Sequence, residues 1–228
     1  MPEGVLVTRP EPGASETARR LRALHRDPIM APLLHIRPLA LAPFGAVGAV
    51  LVTSGNAVPF LPASLHGLPL LAVGHTTADR ARSAGFAQVA SADGDAAALS
   101  ELTRRNCPPG ATLLLATARG QGGPLAAALR ARGFAVHRRA VYAARPAARM
   151  PPAATRALRD GSLAAALFLS AETARAFVRL LPPPLHPALA AVDALAIGQP
   201  AADALCVLPW RRVRVSAKPT QDSLLALL

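Results

Sequence analysis

The chain repeats itself once, and that duplication limits the folds open to it. Leu51-Val-Thr-Ser54-Gly-Asn-Ala57 returns as Leu167-Phe-Leu-Ser170-Ala-Glu-Thr-Ala174, and Leu71-Ala-Val-Gly74-His-Thr-Thr-Ala-Asp79 returns as Leu195-Ala-Ile-Gly198-Gln-Pro-Ala-Ala-Asp203. Looser echoes join Gly94–Leu99 to Gln221–Ala226 and Leu21–Leu24 to Leu129–Arg132. The order of blocks is kept while the spacers differ. Two copies are too few for a solenoid, which needs about three stacked units or more. The duplication therefore predicts two similar lobes with a cleft between them.

Short apolar runs alternate with amphipathic stretches, the pattern of βαβ units and a mainly parallel sheet. Strands are expected at Val5–Thr8, Ala49–Thr53, Leu70–Val73, Phe86–Ala90, Thr112–Leu115, Ala165–Leu169, Ala194–Ile197 and Val213–Ser216. A helix is expected from Ser15, as N-cap, to His25, with Ala18, Leu21 and Leu24 on one face. Others follow the Gly55-Asn56 turn, span Thr77–Ser83 with a stop at Gly85, run from a cap at Asp95 to Arg105, and span Pro124–Arg132 up to Gly133. A last helix follows Pro219-Thr220-Gln221-Asp222, and Cys107–Gly110, Arg145–Pro152 and Leu181–Leu185 read as breaks. Pro32–Pro38 and Arg138–Ala143 are extended and hold equivalent places in the two copies. That placement suits strands that carry the chain between lobes, so that each lobe takes a piece of both repeats.

In parallel α/β sheets, ligands bind beyond the carboxyl ends of the strands, where loops feed helix N-termini. The repeated motifs all lie there: Thr53-Ser54-Gly55-Asn56, Gly74-His75-Thr76-Thr77, Asp93-Gly94-Asp95, Ser170-Ala171-Glu172, Gly198-Gln199-Pro200 and Lys218-Pro219-Thr220. Helix starts present unpaired N–H donors and a positive dipole end, which suit carboxylates or phosphates. From these loops Thr53, Ser54, Gly55, Asn56, Gly74, His75, Thr76, Ser170, Ala171, Gly198, Gln199, Lys218 and Thr220, with Arg9 and Arg119 added, make up the candidate substrate-binding set. The plainer expectation for Ser54, Ser170, Thr77 and Asp95 taken singly is that of ordinary helix N-caps.

The net charge is +12, from 25 Lys and Arg against 13 Asp and Glu. A field of that sign concentrates anionic partners. Nucleic acid is disfavoured, because only 4% of the residues are aromatic and nucleic-acid grooves combine cations with stacking platforms. A small polyanion fits better. Neither Cys107 nor Cys206 belongs to a CxxC, no apolar run nears the length of a membrane span, and the N-terminus leads straight into Val5-Leu-Val without a secretory signal. A cytoplasmic chain with reduced thiols and no membrane partner is expected. The six histidines lack metal-ligand spacing, and no GxxxxGK[ST] or GxSxG motif is present. Gly120-Gln-Gly122 opens like a dinucleotide fingerprint, but Leu125 stands where its third glycine belongs. So little acid–base machinery points to a reaction driven by holding a reactive substrate in shape, with no cofactor and no metal.

Taken in order, Val5-Leu-Val-Thr-Arg9-Pro10, Leu51–Ala57, Leu71–Ala78, Ala92–Asp95, Gly133-Phe-Ala-Val136, Val141-Tyr142, Phe168-Leu-Ser170, Ala196-Ile-Gly198 and Pro219-Thr220-Gln221 resemble the uroporphyrinogen-III synthases across practically the whole chain. The resemblance implies two α/β lobes, each a parallel sheet flanked by helices, joined by a two-stranded β connector. It places one discontinuous lobe at 1–34 with 147–228, the other at 39–138, and connector strands at 35–38 and 139–146. It implies cyclisation of hydroxymethylbilane, a substrate with eight carboxylates, with inversion of ring D, and transfer of that substrate from hydroxymethylbilane synthase. It also places a tyrosine that assists departure of the hydroxyl at Tyr142 and a cleft threonine at Thr77. One departure is clear: the threonine motif of the second copy reads Gln199-Pro200-Ala201-Ala202, so a hydroxyl is missing. A non-catalytic synthase-like domain binding a tetrapyrrole or other polyanion is the alternative that this departure motivates. A bilobed solute-binding protein is a further rival, which needs export. A monomer is expected, since no extended apolar helix face is left over.

Overall fold

The computed structural model describes residues 3–228. In chain order its first elements are β1 (Gly4–Val7), α1 (Gly13–Ala23), β2 (Asp27–Met30), β3 (Leu34–Pro38), β4 (Ala49–Val52), β5 (Leu70–Ala72), α2 (His75–Ser83), β6 (Val89–Ser91) and α3 (Ala96–Asn106). Then follow β7 (Thr112–Ala118), α4 (Gly123–Ala131), β8 (Ala135–Pro146), α5 (Pro152–Arg159), β9 (Leu163–Phe168), α6 (Ala171–Leu180), β10 (Asp193–Ala196), α7 (Gln199–Leu205), β11 (Arg212–Val215) and α8 (Gln221–Leu225). The chain divides into two units: lobe 1 is Met1–His35 with Arg145–Leu228, and lobe 2 is Ile36–Ala144.

Lobe 1 holds a five-stranded sheet in the order β11-β10-β9-β1-β2, every neighbouring pair parallel. Lobe 2 holds the order β6-β5-β4-β7-β8-β3, with β4 to β8 parallel. The two orders match strand for strand, apart from β3. Each sheet is thus assembled from half of each sequence copy, β1 and β2 joining β9–β11 while β7 and β8 join β4–β6. At the connector, Leu39 N–H donates to Val141 C=O and Ala147 N–H to Leu33 C=O, both at 2.9 Å, which sets β3 antiparallel to β8.

Helices cover both faces of each sheet, so the inner strands β1, β4, β5, β7, β9 and β10 are largely buried and read as mainly apolar runs. In lobe 2, Val50, Val52, Leu70 and Ala116 pack on one face, while Leu51, Leu71, Leu113 and Leu115 meet Leu99, Leu125 and Leu129 on the other. In lobe 1, Val5, Val7, Leu167 and Leu195 meet Leu21 and Leu224. Phe168, Phe177 and Trp210 form an aromatic cluster in the same lobe.

Several local expectations are corrected. α1 starts at Gly13 with Ser15 inside it, because the Glu11 carboxylate accepts both the Ser15 N–H (3.0 Å) and its hydroxyl (2.9 Å) and so does the capping. Leu24 lies past the helix end and is 49% exposed; the core face is Ala14, Ala18 and Leu21. After Gly55-Asn56 there are only two 3-10 turns, Val58–Phe60 and Ala63–Leu65, since Pro59 and Pro62 lack the N–H an α-helix needs. Phe86 is no strand residue; it packs on the His66 ring at 4.6 Å, and the strand begins at Val89. β2 and α5 went unforeseen. The expected stops hold: Gly85 and Gly133 have φ of +101° and +88°.

Two carboxylates organise the arginines. Asp193, at the start of β10, accepts from Arg211 Nε at 2.8 Å and from Arg212 Nη2 at 2.7 Å, pinning β10 to β11. These guanidinium groups, Arg211 foremost, hold its carboxyl down to about 2. Glu101 is likewise held down to about 2 by Arg104, Arg132 and Arg105. A carboxyl so depressed binds its proton less readily in the folded than in the unfolded chain. Its stabilisation is complete above about pH 4 and disappears as pH falls through about 2. Lobe 1 is therefore expected to melt progressively lower between about pH 4 and pH 2. Asp193→Asn, followed by Trp210 fluorescence, flattens that slope; an unchanged slope removes Asp193 as its cause.

Candidate active site

Parallel pairing puts the carboxyl ends of the strands along one edge of each sheet, and the repeated motifs fall there. In lobe 2 the edge carries Thr53–Asn56 after β4, Gly74–Thr77 after β5, Asp93–Asp95 after β6 and Arg119 after β7. In lobe 1 it carries Arg9 after β1, Ser170 and Ala171 after β9, Gly198 and Gln199 after β10, and Lys218 and Thr220 after β11. Each lobe thus gathers its own share of the candidate set.

Many side-chain hydroxyls there are occupied in shaping the loops. Ser170 caps α6, accepting the Thr173 N–H at 3.1 Å. Thr220 caps α8 through the Ser223 N–H at 3.2 Å, and Asp95 caps α3 through Ala97 and Ala98. Ser54 Oγ accepts the Asn56 N–H at 3.3 Å and folds the turn. What remains for a ligand is backbone: the first N–H groups of a helix have no partner inside it. At α2 these belong to His75 and Thr76. At α7 Gln199 supplies one, but Pro200 supplies none, and the Gln199 side chain bonds Asp203 at 2.7 Å along its own helix. The two copies are therefore unequal donors.

Gly74 and Gly198 cap α2 and α7 at equivalent positions. Their φ values, −155° and −178°, are ordinary extended backbone. A Cβ at Gly74 meets nothing within 4 Å, and one at Gly198 only the Pro200 ring at 4.0 Å. Neither backbone strain nor packing in its own lobe explains these glycines; they leave the helix starts uncovered.

Arg9 is built in tightly. Its Nη1 donates to Gln221 at 3.1 Å and to Thr17 at 3.3 Å, and Gln221 also donates to Thr17 at 3.1 Å. A Cβ on Gly13 would sit 2.4 Å from the Arg9 Nε, so that glycine makes room for the guanidinium. His75 pairs with Asp93 at 2.9 Å, and Ser91 buttresses Asp93 at 2.6 Å. Thr77 is 8% exposed and Tyr142 4% exposed. The Tyr142 ring lies in the lobe 2 core with Phe60 at 6.3 Å, so any part in chemistry falls to its phenol oxygen alone.

Sequence reasoning missed Arg138 and Arg139. With Arg119, Leu39 and Ala42 they line a cavity of about 570 Å³ in lobe 2. Their consecutive numbers gave no sign that residues 39–43 return alongside them. Among the described residues, no group of three His, Cys, Asp or Glu side chains gathers as a metal site, and no helix is long and apolar enough to cross a membrane. Cys107 is buried, Cys206 exposed, and both are free.

Two units, each a parallel sheet covered on both faces with binding-type loops along its carboxyl edge, define a two-lobed α/β protein of the small-molecule-handling class. The chain belongs to the uroporphyrinogen-III synthase family: the family described as uroporphyrinogen-III synthase HemD matches residues 15–226. Its members are cyclising lyases of haem biosynthesis. The fold is similar to the crystal structure of uroporphyrinogen-III synthetase from Helicobacter pylori 26695, with 20% identity, 100% of this chain and 98% of that chain covered, and a TM-score of 0.63. It is also similar to a mutant uroporphyrinogen III synthase from the extremely thermophilic bacterium Thermus thermophilus, with 20% identity, 98% and 95% covered, and a TM-score of 0.51. At such identities the two structures bear on the fold alone. No curated protein matches the chain.

Proposed function

We propose that this chain cyclises hydroxymethylbilane to uroporphyrinogen III, binding the substrate carboxylates at the strand-end loops of its lobes. The observation that carries this reading is the pair of equivalent glycines, Gly74 and Gly198, that uncover helix starts in a protein of net charge +12. Each charge-assisted hydrogen bond to a carboxylate contributes about 1.5–3 kcal/mol, so a handful suffices for firm binding. The reaction needs loss of the terminal hydroxyl as water, attack by the substituted carbon of ring D to a spiro intermediate, then fragmentation and reclosure. Left alone, the linear substrate closes without inversion to the type I isomer. The protein's task is to select one folded geometry, which preorganised amides accomplish without moving during the reaction.

Arg9, Thr53, Ser54, Gly55, Asn56, His75, Thr76, Arg119, Ser170, Ala171, Gln199, Lys218 and Thr220 complete the proposed binding set, with Tyr142 and Thr77 as the proposed catalytic pair. The reading includes a cytoplasmic location and delivery of the substrate by hydroxymethylbilane synthase. Supplying hydroxymethylbilane and resolving the isomers tests it: type III is expected, and type I alone favours the non-catalytic alternative that Gln199-Pro200 motivates. Tyr142→Phe keeps the ring packing and deletes only the hydroxyl. A roughly tenfold fall in kcat, equivalent to about 1.4 kcal/mol, is expected with the protein still folded; unchanged kinetics take Tyr142 out of the mechanism.

A further inference from the structure

Two clusters of arginines elsewhere in the chain each gather around a carboxylate. Asp193 sits between Arg211 and Arg212, and Glu101 among Arg104, Arg105 and Arg132. The cavity of lobe 2 breaks that pattern. Arg119, Arg138 and Arg139 all line it, and its remaining wall is Leu39, Ala40, Ala42, Gly120 and Ala140, with no acidic residue.

Arg138 and Arg139 are held by carbonyls, which fix position without cancelling charge. Arg139 donates from Nε (3.1 Å) and Nη2 (2.7 Å) to the Pro43 carbonyl, and from Nη1 to that of Arg138 (3.2 Å). Arg138 Nη1 donates to the Gln121 carbonyl at 2.7 Å. The Arg119 main chain is fixed by its N–H on Tyr142 C=O at 2.8 Å. Its guanidinium is exposed and has no partner among the described residues. Arginine carries its charge at any working pH and presents a planar fork matched to carboxylates. The volume, about 570 Å³, lies in the range of small-molecule pockets, about 300–1,000 Å³.

We infer that this cavity is a carboxylate subsite that takes the acidic arms of one pyrrole ring, with Arg119 and Arg138 as the direct ligands and Arg139 holding the 39–43 segment as its wall. The cavity lies at the end of β7 on the same edge of lobe 2 as Thr53–Asn56, with β4 and β7 adjacent. The assignment rests on the synthase reading for the identity of its ligand, whereas its charge and geometry stand without it.

Uroporphyrin III, a stable octacarboxylate, is a direct probe. Arg119→Gln, whose side chain supports nothing in the protein, is expected to weaken its binding about 5- to 20-fold, and Arg119→Gln with Arg138→Gln about 100-fold or more. Arg159→Gln, exposed on α5 in lobe 1, removes the same charge and is expected to change binding less than twofold. With hydroxymethylbilane, the Arg119 variant raises KM by a factor similar to its binding loss and changes kcat less, the mark of an interaction made before the chemical step. Melting curves identify a variant that has lost its fold, and Arg138→Lys then replaces Arg138→Gln. Wild-type affinity in both pocket variants overturns the subsite. So does equal loss in Arg159→Gln, or displacement of the porphyrin by inorganic phosphate at equal concentration. Type III synthesis unaffected in the pocket variants sinks the subsite and leaves the synthase reading; uroporphyrin III binding that depends on Arg119, with type I product alone, does the reverse.

Discussion

Replacing Gly74 with valine is expected to lower kcat/KM on the order of 100-fold while leaving the protein folded. Glycine is commonly retained for a positive φ or a crowded backbone, and Gly74 has neither: its φ is −155° and a Cβ there finds open space. β-Branched residues favour such extended backbone, and the poorer N-cap costs about 1 kcal/mol, so the melting point is expected to fall by only about 2–4 °C. What valine changes is access to the His75 and Thr76 amides at the start of α2. A substrate that must be positioned to within about 1 Å tolerates no methyl groups between its carboxylate and those donors. Gly198→Val is the matching change in lobe 1, with a smaller expected loss, because Pro200 has already removed one donor from α7. Full activity in both variants, measured as type III product, excludes these helix starts from the substrate path.

The duplication made the architecture legible because it lies in buried strands and the loops leaving them, where residue choice is tightly constrained. Leu51 and Leu167, or Leu71 and Leu195, occupy matching strands in sheets of matching order. β2 was hidden by Pro28, which an edge strand tolerates and an interior strand does not. The looser echo of Gly94–Leu99 in Gln221–Ala226 marks two helix starts whose caps differ, Asp95 on α3 and Thr220 on α8. Features that need residues distant in the chain stayed invisible. The grip of Asp193 on Arg211 and Arg212 depends on the register of β10 against β11. The arginine-lined cavity depends on Pro43 folding back to Arg139. Gly13 reads as a loop residue until the Arg9 guanidinium is seen occupying its missing side chain's space.

Phe177→Ala is expected to be the most destabilising of the substitutions considered, by about 3–5 kcal/mol. Phe177 is fully buried on α6 and meets Phe168 of β9 edge-on at 5.3 Å and Trp210 at 5.2 Å. Aromatic pairs of this kind add about 0.5–1.5 kcal/mol to the burial itself. Alanine leaves a cavity that neither ring can fill, because Phe168 is fixed in the central part of the sheet and Trp210 closes the turn before β11. Folded domains are commonly stable by about 5–15 kcal/mol, so the loss is a large share, and a fall in melting temperature of about 10 °C or more is expected. Trp210 is the chain's single tryptophan and lies in this cluster, so its fluorescence reports the event directly. Val207→Ala, at a position 71% exposed, serves as the control and is expected to melt like the parent. α6 also carries Ser170 and Ala171 at its start, so loosening its anchor at Phe177 moves a piece of the lobe 1 binding edge. A drop in activity that begins below the new melting point would tie that packing to substrate positioning, and a melting curve identical to the parent's would remove the aromatic cluster from any account of lobe 1 stability.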